Sequence, residues 1–291
     1  MQFVLRGTGK PLLLIHGIGG SWRSWMPVLD PLAAHREVIA VDLPGFGASA
    51  PLAGPTTIGT LADSVVDFMK ANRLERVDAV GSSMGARLVL ELARRGVMGA
   101  VVALDPGGFW RAWERHAFYG SIAVSIRLIR ALQPVMPVLT RHAATRALLF
   151  AQLSAHPSRL PRRLVLDEMR SYAASPVFDE LLRELAYGEE QRGAPRRSIG
   201  QPLVIGWGRR DRICFPRQAE RALSRFPDAT LHWFDDSGHF PHWDCPLETV
   251  KLILETTSTS LARASGGERL DDASDLTGSA SKPARDLGVG R

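Results

Sequence analysis

The stretch that most constrains this chain is Gly81-Ser82-Ser83-Met84-Gly85. It follows the apolar run RVDAV (76–80) and opens the helical pattern SMGARLVLELARRG (83–96). A strand that turns at once into a helix brings the turn backbone against its neighbours. Small residues two before and two after the serine avoid the clash. Gly81 and Gly85 therefore mark a strained strand–turn–helix corner. It holds the Ser83 hydroxyl exposed above a sheet edge, at the positive end of a helix dipole. The alternative reading is a Gly-Ser strand end with no chemistry. The strand and helix on either side favour a nucleophile.

Around this corner the pattern alternates. Strand-like runs occur at 2–6, 11–16, 37–42, 76–80, 100–105, 202–207 and 230–235. Helical patterns occur at 56–74, 83–96, 216–226 and 246–257. Several of the runs, such as PLLLIH and AVVALD, are apolar throughout, as in strands covered on both faces. Alternation of this kind predicts an α/β fold, a mostly parallel sheet flanked by helices. Thr57 and Thr60 are placed to cap the first helix, and Gly96 to end the second. From 106 to 198 the alternation stops. The segment reads as about four helices broken at Pro134, Pro137, Pro157, Pro161 and Pro176, which suits a helical cap inserted into the core. The expected organisation is a core of 1–105 and 199–260, a cap of 106–198, and a tail of 261–291. The tail is rich in Ser, Gly, Ala and Asp without apolar period, and its composition predicts disorder.

A serine needs a base, and the base an orienting acid. His239 in DDSGHFPHW follows the last strand in a glycine-bearing loop. Asp211 in GWGRRDRICFP follows the strand before it. Asp105 in LDPGG, also at a strand end, is the alternative acid. His242 competes as base. His116, His142 and His156 fall in the cap, and His35 and His232 read as structural. Asp235 and Asp236 precede His239 too closely to turn back onto it, and Asp42 reads as loop-shaping. Acyl transfer develops an oxyanion, which needs N–H donors. Those of Met84, just past the serine, and Ile18, in the loop after LLLIHG, are the candidates. Gly17, Gly19 and Gly20 let that loop come close.

In order along residues 2–257, the motifs LLLIHGIGGSWRSW, VIAVDLPGFGAS, VGSSMGARLVLELA, LVIGWGRRDRICFP and SGHFPHWDCPLE resemble the α/β-hydrolase superfamily. The resemblance implies an esterase-like serine hydrolase with a helical lid and the triad Ser83, Asp211, His239. The sequence departs from the family pattern in one respect: it opens at or near the second strand of the usual sheet, so the first antiparallel strand is expected to be short or missing. Relatives that cleave epoxides or haloalkanes carry Asp at the nucleophile position. Ser83 leaves acyl transfer to water.

Composition limits the rest. Of 291 residues 45% are apolar and 23% charged, an ordinary globular balance. Two cysteines, 214 and 245, without CxxC spacing suggest reduced thiols and a cytoplasmic setting, with a single disulfide the alternative. The opening residues do not read as a leader peptide, and no run has membrane-spanning length. No cofactor is implied, no metal-ligand cluster appears, and nucleic-acid binding has no motif. Fourteen arginines against eight acids and no lysine between 109 and 198 hold the whole +6 excess of the chain. This reads as a solvated helical face, or as a docking surface for an acidic carrier protein. Cap aromatics Trp110, Trp113, Phe118, Tyr119, Phe150, Tyr172 and Phe178 predict a medium-sized hydrophobic ester as substrate. A carbon–carbon bond hydrolase of ring-cleavage products, a methyl esterase for acyl-carrier proteins, and a non-enzymatic receptor or scaffold are the alternatives.

Overall fold

The structure, a computed structural model, describes residues 1–271, with side-chain surroundings through 258. Seven strands form one sheet: β1 (Gln2–Arg6), β2 (Pro11–Ile15), β3 (Glu37–Asp42), β4 (Asp78–Ser82), β5 (Val101–Leu104), β6 (Leu203–Gly208) and β7 (Thr230–Phe234). Their order is β1-β3-β2-β4-β5-β6-β7. All neighbours are parallel except β1, which runs antiparallel to β3 and closes that edge. The inner strands β4 and β5 are buried along their whole length, which is why their sequences show no polar alternation.

The helices of the core are α1 (Met26–Ala33), α2 (Ile58–Ala71) and α3 (Met84–Arg94). Thr57 caps α2, its side chain accepting from the Thr60 N–H while Thr60 returns the bond to the Thr57 N–H. Gly96 ends the α3 turn at φ +72°. The short helix α1 is not signalled by periodicity, because Pro27 and Pro31 interrupt its pattern. Pro27 sits in the first turn, where no N–H is needed. Buried Val28, Leu29 and Leu32 hold the rest against the sheet.

Between β5 and β6 the chain forms α4 (Ala112–Ala131), α5 (Met136–Leu139), α6 (Ala143–Leu149), α7 (Arg162–Ala174) and α8 (Phe178–Tyr187). After β6 come α9 (Ala219–Arg225), α10 (Pro241–Asp244) and α11 (Pro246–Asp271). Thus α11 continues to Asp271, into the stretch whose composition predicts an unstructured tail. The remainder of that stretch, 272–291, lies outside the described residues. A single apolar cluster joins the sheet to the cap: Leu13 and Ile15 of β2 belong to the same buried group as Phe118, Phe178 and Leu181. Among the described residues no single helix is long and apolar enough to cross a membrane.

Candidate active site

Ser83 lies at the N-terminus of α3 with φ +56°, a left-handed conformation that costs a non-glycine residue on the order of 1 kcal/mol or more. Its neighbours make that turn possible. A Cβ on Gly81 would stand 2.1 Å from the Gly85 carbonyl oxygen, and one on Gly85 would stand 2.2 Å from that of Ile15. The Ser83 N–H donates to the Leu104 carbonyl at 2.9 Å, tying the corner to the end of β5.

Two residues far along the chain meet it. His239 Nε2 lies 2.8 Å from Ser83 Oγ, and His239 Nδ1 lies 2.8 Å from Asp211 Oδ2. All three side chains are buried. The carboxylate fixes the tautomer: Nδ1–H donates to Asp211, so Nε2 is left bare to accept the Ser83 hydroxyl proton. Asp211 is itself held by the N–H groups of Ile213 (2.7 Å) and Cys214 (3.0 Å), both on Oδ1. The loop of His239 is held from the cap side, its N–H donating to the Leu153 carbonyl at 2.9 Å.

Asp105 sits beside this chain without joining it. It takes φ +47° at the end of β5, and its Oδ1 accepts the Gly208 N–H at 2.8 Å. Burial, and then the facing Asp211 carboxylate, push its carboxyl well above the usual range. His242 is a buried ring tilted against Trp25, centroids 4.6 Å apart, with no hydrogen bond on either nitrogen. Burial, and then His239, push it down to about 3. It stays neutral and cannot reach the serine as a base. His156 and His232 pair with Asp236 and Glu248 at 2.7 and 2.9 Å, and Asp235 pairs with Arg209. Asp42 shapes its loop by accepting from the N–H groups of Trp22 and Ala48.

The loop after β2 is built by His16. Its Nδ1 donates to the Gly17 carbonyl and its Nε2 accepts the Leu43 N–H, and burial holds it neutral. A Cβ on Gly17 would lie 3.2 Å from that of Ser83, so glycine lets this loop lie against the nucleophile corner. Neither the Ile18 N–H nor the Met84 N–H finds a hydrogen-bond acceptor among the described residues.

Sequence reasoning missed two carboxylates that fasten this loop and the His239 loop to the cap. Glu168 of α7 accepts the Ser24 hydroxyl at 2.6 Å and faces the Tyr172 hydroxyl; burial lifts it to about 7. Asp244 accepts from the N–H groups of Gly238 and Ala155, both at 2.8 Å, and from the Ser154 hydroxyl. A buried acid on an amphipathic helix is the only local signal of the first. The second has none, because its partners are loop amides.

Above Ser83 and His239 is a cavity of about 50 Å³. Ile18, Phe118, Ile122, Ile126, Tyr172 and Phe178 are among the residues that wall it. Of the cap aromatics, Phe118, Tyr172 and Phe178 reach the cavity, whereas Trp113 is half exposed. Among the described residues one set of potential metal donors converges: Asp211, Cys214 and His239. Burial holds the Cys214 thiol protonated, and Asp211 and His239 are committed to each other, so the donor set does not suit a cation.

The alpha/beta hydrolase fold model matches residues 10–246. This chain belongs to the α/β-hydrolase family. A curated relative, the dihydrolipoyllysine-residue acetyltransferase component of the acetoin cleaving system of Cupriavidus necator, is 33% identical over 251 residues, covering 82% of this chain. The chain spans only 61% of that protein and 65% of its Pseudomonas putida counterpart. A 2-hydroxymuconate semialdehyde hydrolase from a Pseudomonas species is 30% identical over 266 residues, covering 85% of this chain and 86% of that one. Among solved structures, a thermophilic esterase from Thermogutta terrifontis shares the fold at TM-score 0.69 and 19% identity, over 89% of this chain and 93% of that chain. A meta-cleavage product hydrolase from Pseudomonas fluorescens does so at TM-score 0.68 and 19% identity, over 89% and 94%.

Proposed function

We propose that this α/β-hydrolase cleaves a carboxylic ester of a medium-sized hydrophobic substrate through an acyl-enzyme on Ser83. The observation that carries the reading is the continuous Ser83 Oγ–His239 Nε2, His239 Nδ1–Asp211 Oδ2 hydrogen-bond chain under an apolar cavity. His239 Nε2 takes the hydroxyl proton as Ser83 Oγ attacks the carbonyl carbon. The carbonyl oxygen becomes an oxyanion and accepts from the Ile18 and Met84 N–H groups. The proton on Nε2 passes to the leaving alcohol, and the C–O bond to it breaks. His239 then deprotonates a water that attacks the acyl carbon. The acid leaves and Ser83 regains its proton. Asp211 orients the imidazole through Nδ1 and stabilises the imidazolium that forms.

p-Nitrophenyl esters from acetate to palmitate test the reading. Turnover is expected to peak at intermediate chain length and to vanish in Ser83→Ala, together with fluorophosphonate labelling. Labelling that survives in Ser83→Ala, or no ester turnover at any length, counts against it. A second reading, hydrolysis of a carbon–carbon bond in a ring-cleavage product, is favoured by the likeness to the 2-hydroxymuconate semialdehyde hydrolase. Turnover of a dienoate ring-cleavage product by a chain inert to every ester selects it.

A further inference from the structure

The outer face of the cap carries a surface that the chemistry at Ser83 does not use. Helix α4 has two apolar faces. Ile122, Ile126 and Ile129 line the cavity. Val124 and Leu128 lie roughly 200° around the helix from Ile122 and Ile126, at 100° per residue. They point outward, 63% and 53% exposed. Past the end of α4, Val135 and Val138 are 46% and 53% exposed, and Leu148 of α6 is 79% exposed. Large aliphatic side chains at this exposure, repeated over three successive segments, mark an interaction surface.

Within the stretch of chain that carries these residues the charge is of one sign. Between Glu114 and Asp167 the sequence holds eight arginines and no acid. Arg127, beside Leu128, and Arg141, after α5, are exposed and have no carboxylate partner among the described residues. Arg130, by contrast, is paired with Asp179. Helix α4 and the segment Gln133–Leu139 together have the apolarity of a membrane element but bend by 61° at their junction. That geometry suits lying on an interface, not crossing it.

From this exposed aliphatic and arginine-bearing face we infer that the cap docks on an anionic lipid surface, with Val124, Leu128 and Leu148 entering the acyl boundary and Arg127 and Arg141 meeting headgroup phosphates. Charge decides against a second copy of the chain as the occupant. A two-fold dimer would set the arginines of this face that lack a carboxylate partner against one another, bringing like charges together. An acidic protein would satisfy the arginines but gives no reason for aliphatic side chains to protrude between them. The surface stands on the outside of α4 and is independent of the reaction assigned to Ser83. It places a lipid phase one helix thickness from the cavity.

Co-sedimentation of the full chain with vesicles tests the inference, using phosphatidylcholine alone and phosphatidylcholine mixed equally with phosphatidylglycerol. Mixed vesicles are expected to bind the chain and plain ones to bind it far less. Binding should weaken with salt, and Arg127→Gln or Arg141→Gln should each lower it about fivefold. The double variant Val124→Asp, Leu128→Asp should lose vesicle binding while keeping wild-type turnover of a short soluble ester and a wild-type far-UV spectrum. Absence of binding to mixed vesicles overturns the inference, as does binding that survives the double variant. A stable dimer in sedimentation equilibrium that Leu128→Asp dissociates also overturns it, by assigning the face to self-association.

Discussion

The acid that serves His239 shows how two chemically identical residues are set apart by a few amides. Asp105 and Asp211 follow adjacent strands, β5 and β6, and both are buried. Asp211 has N–H donors on Oδ1 and the His239 ring on Oδ2, so its charge is met on both oxygens. Asp105 has one N–H donor and no base, and its charge is suppressed. Asp211→Asn is therefore expected to lower kcat by about 10⁴, the scale of losing the correct imidazole tautomer in a serine triad. Asp105→Asn keeps a neutral donor facing Asp211 and should cost less than about tenfold, roughly 1.4 kcal/mol. Parallel ester kinetics on the two variants decide it, and a larger loss in Asp105→Asn reverses the assignment. The Ser83 corner was legible from sequence because its requirement is local: two glycines and a strand-to-helix switch suffice. Glu168 was not, because its partners, Ser24 and Tyr172, lie on separate elements.

At the scale of elements, α7 is fastened to the loop after β2. Ser24 donates to Glu168 at 2.6 Å, Ser171 donates to the Gly19 carbonyl at 2.7 Å, and Trp243 Nε1 donates to the Ser24 carbonyl at 2.8 Å. The loop that bears the Ile18 amide is thereby positioned by the cap as well as by the sheet. Glu168 makes this junction sensitive to pH. Its folded-state pKa of about 7 lies above the ordinary value of 4.5. The stability contributed by the buried neutral acid is complete below 4.5 and is lost as pH rises through 7. Glu168→Gln stays neutral throughout. The stability of the wild type relative to this variant should thus fall by on the order of 3 kcal/mol between pH 4.5 and pH 8. Urea unfolding of both proteins across that range measures it, and a difference independent of pH refutes the ionisation.

On the scale of the whole molecule, the cap shares its apolar cluster with one face of the sheet, while a second cluster that includes Leu12, Leu14, Val28 and Phe234 belongs to the core alone. Residues 106–198 read from sequence as a separate cap, because the strand–helix alternation stops there. Their burial against Leu13, Ile15 and Ala103 ties them energetically to the sheet. One cooperative unfolding transition is expected, with far-UV circular dichroism and tryptophan fluorescence coinciding. Two separated transitions would show a cap that folds by itself.

What the amino-acid sequence determined by itself is whatever short-range physics governs. Continuous apolar runs become buried strands, Thr57 and Gly96 bound their helices, and two glycines permit the left-handed turn at Ser83. The meeting of Ser83, Asp211 and His239 was foreseeable only as an order along the chain. The tertiary structure alone decided which of two strand-end acids faces the imidazole, that His242 is sealed against Trp25, and that Glu168 and Asp244 join cap to core. The reason in each case is the same. A buried polar group takes its state from the partners that folding brings to it, and those partners are loop amides and side chains whose approach leaves no period in the sequence.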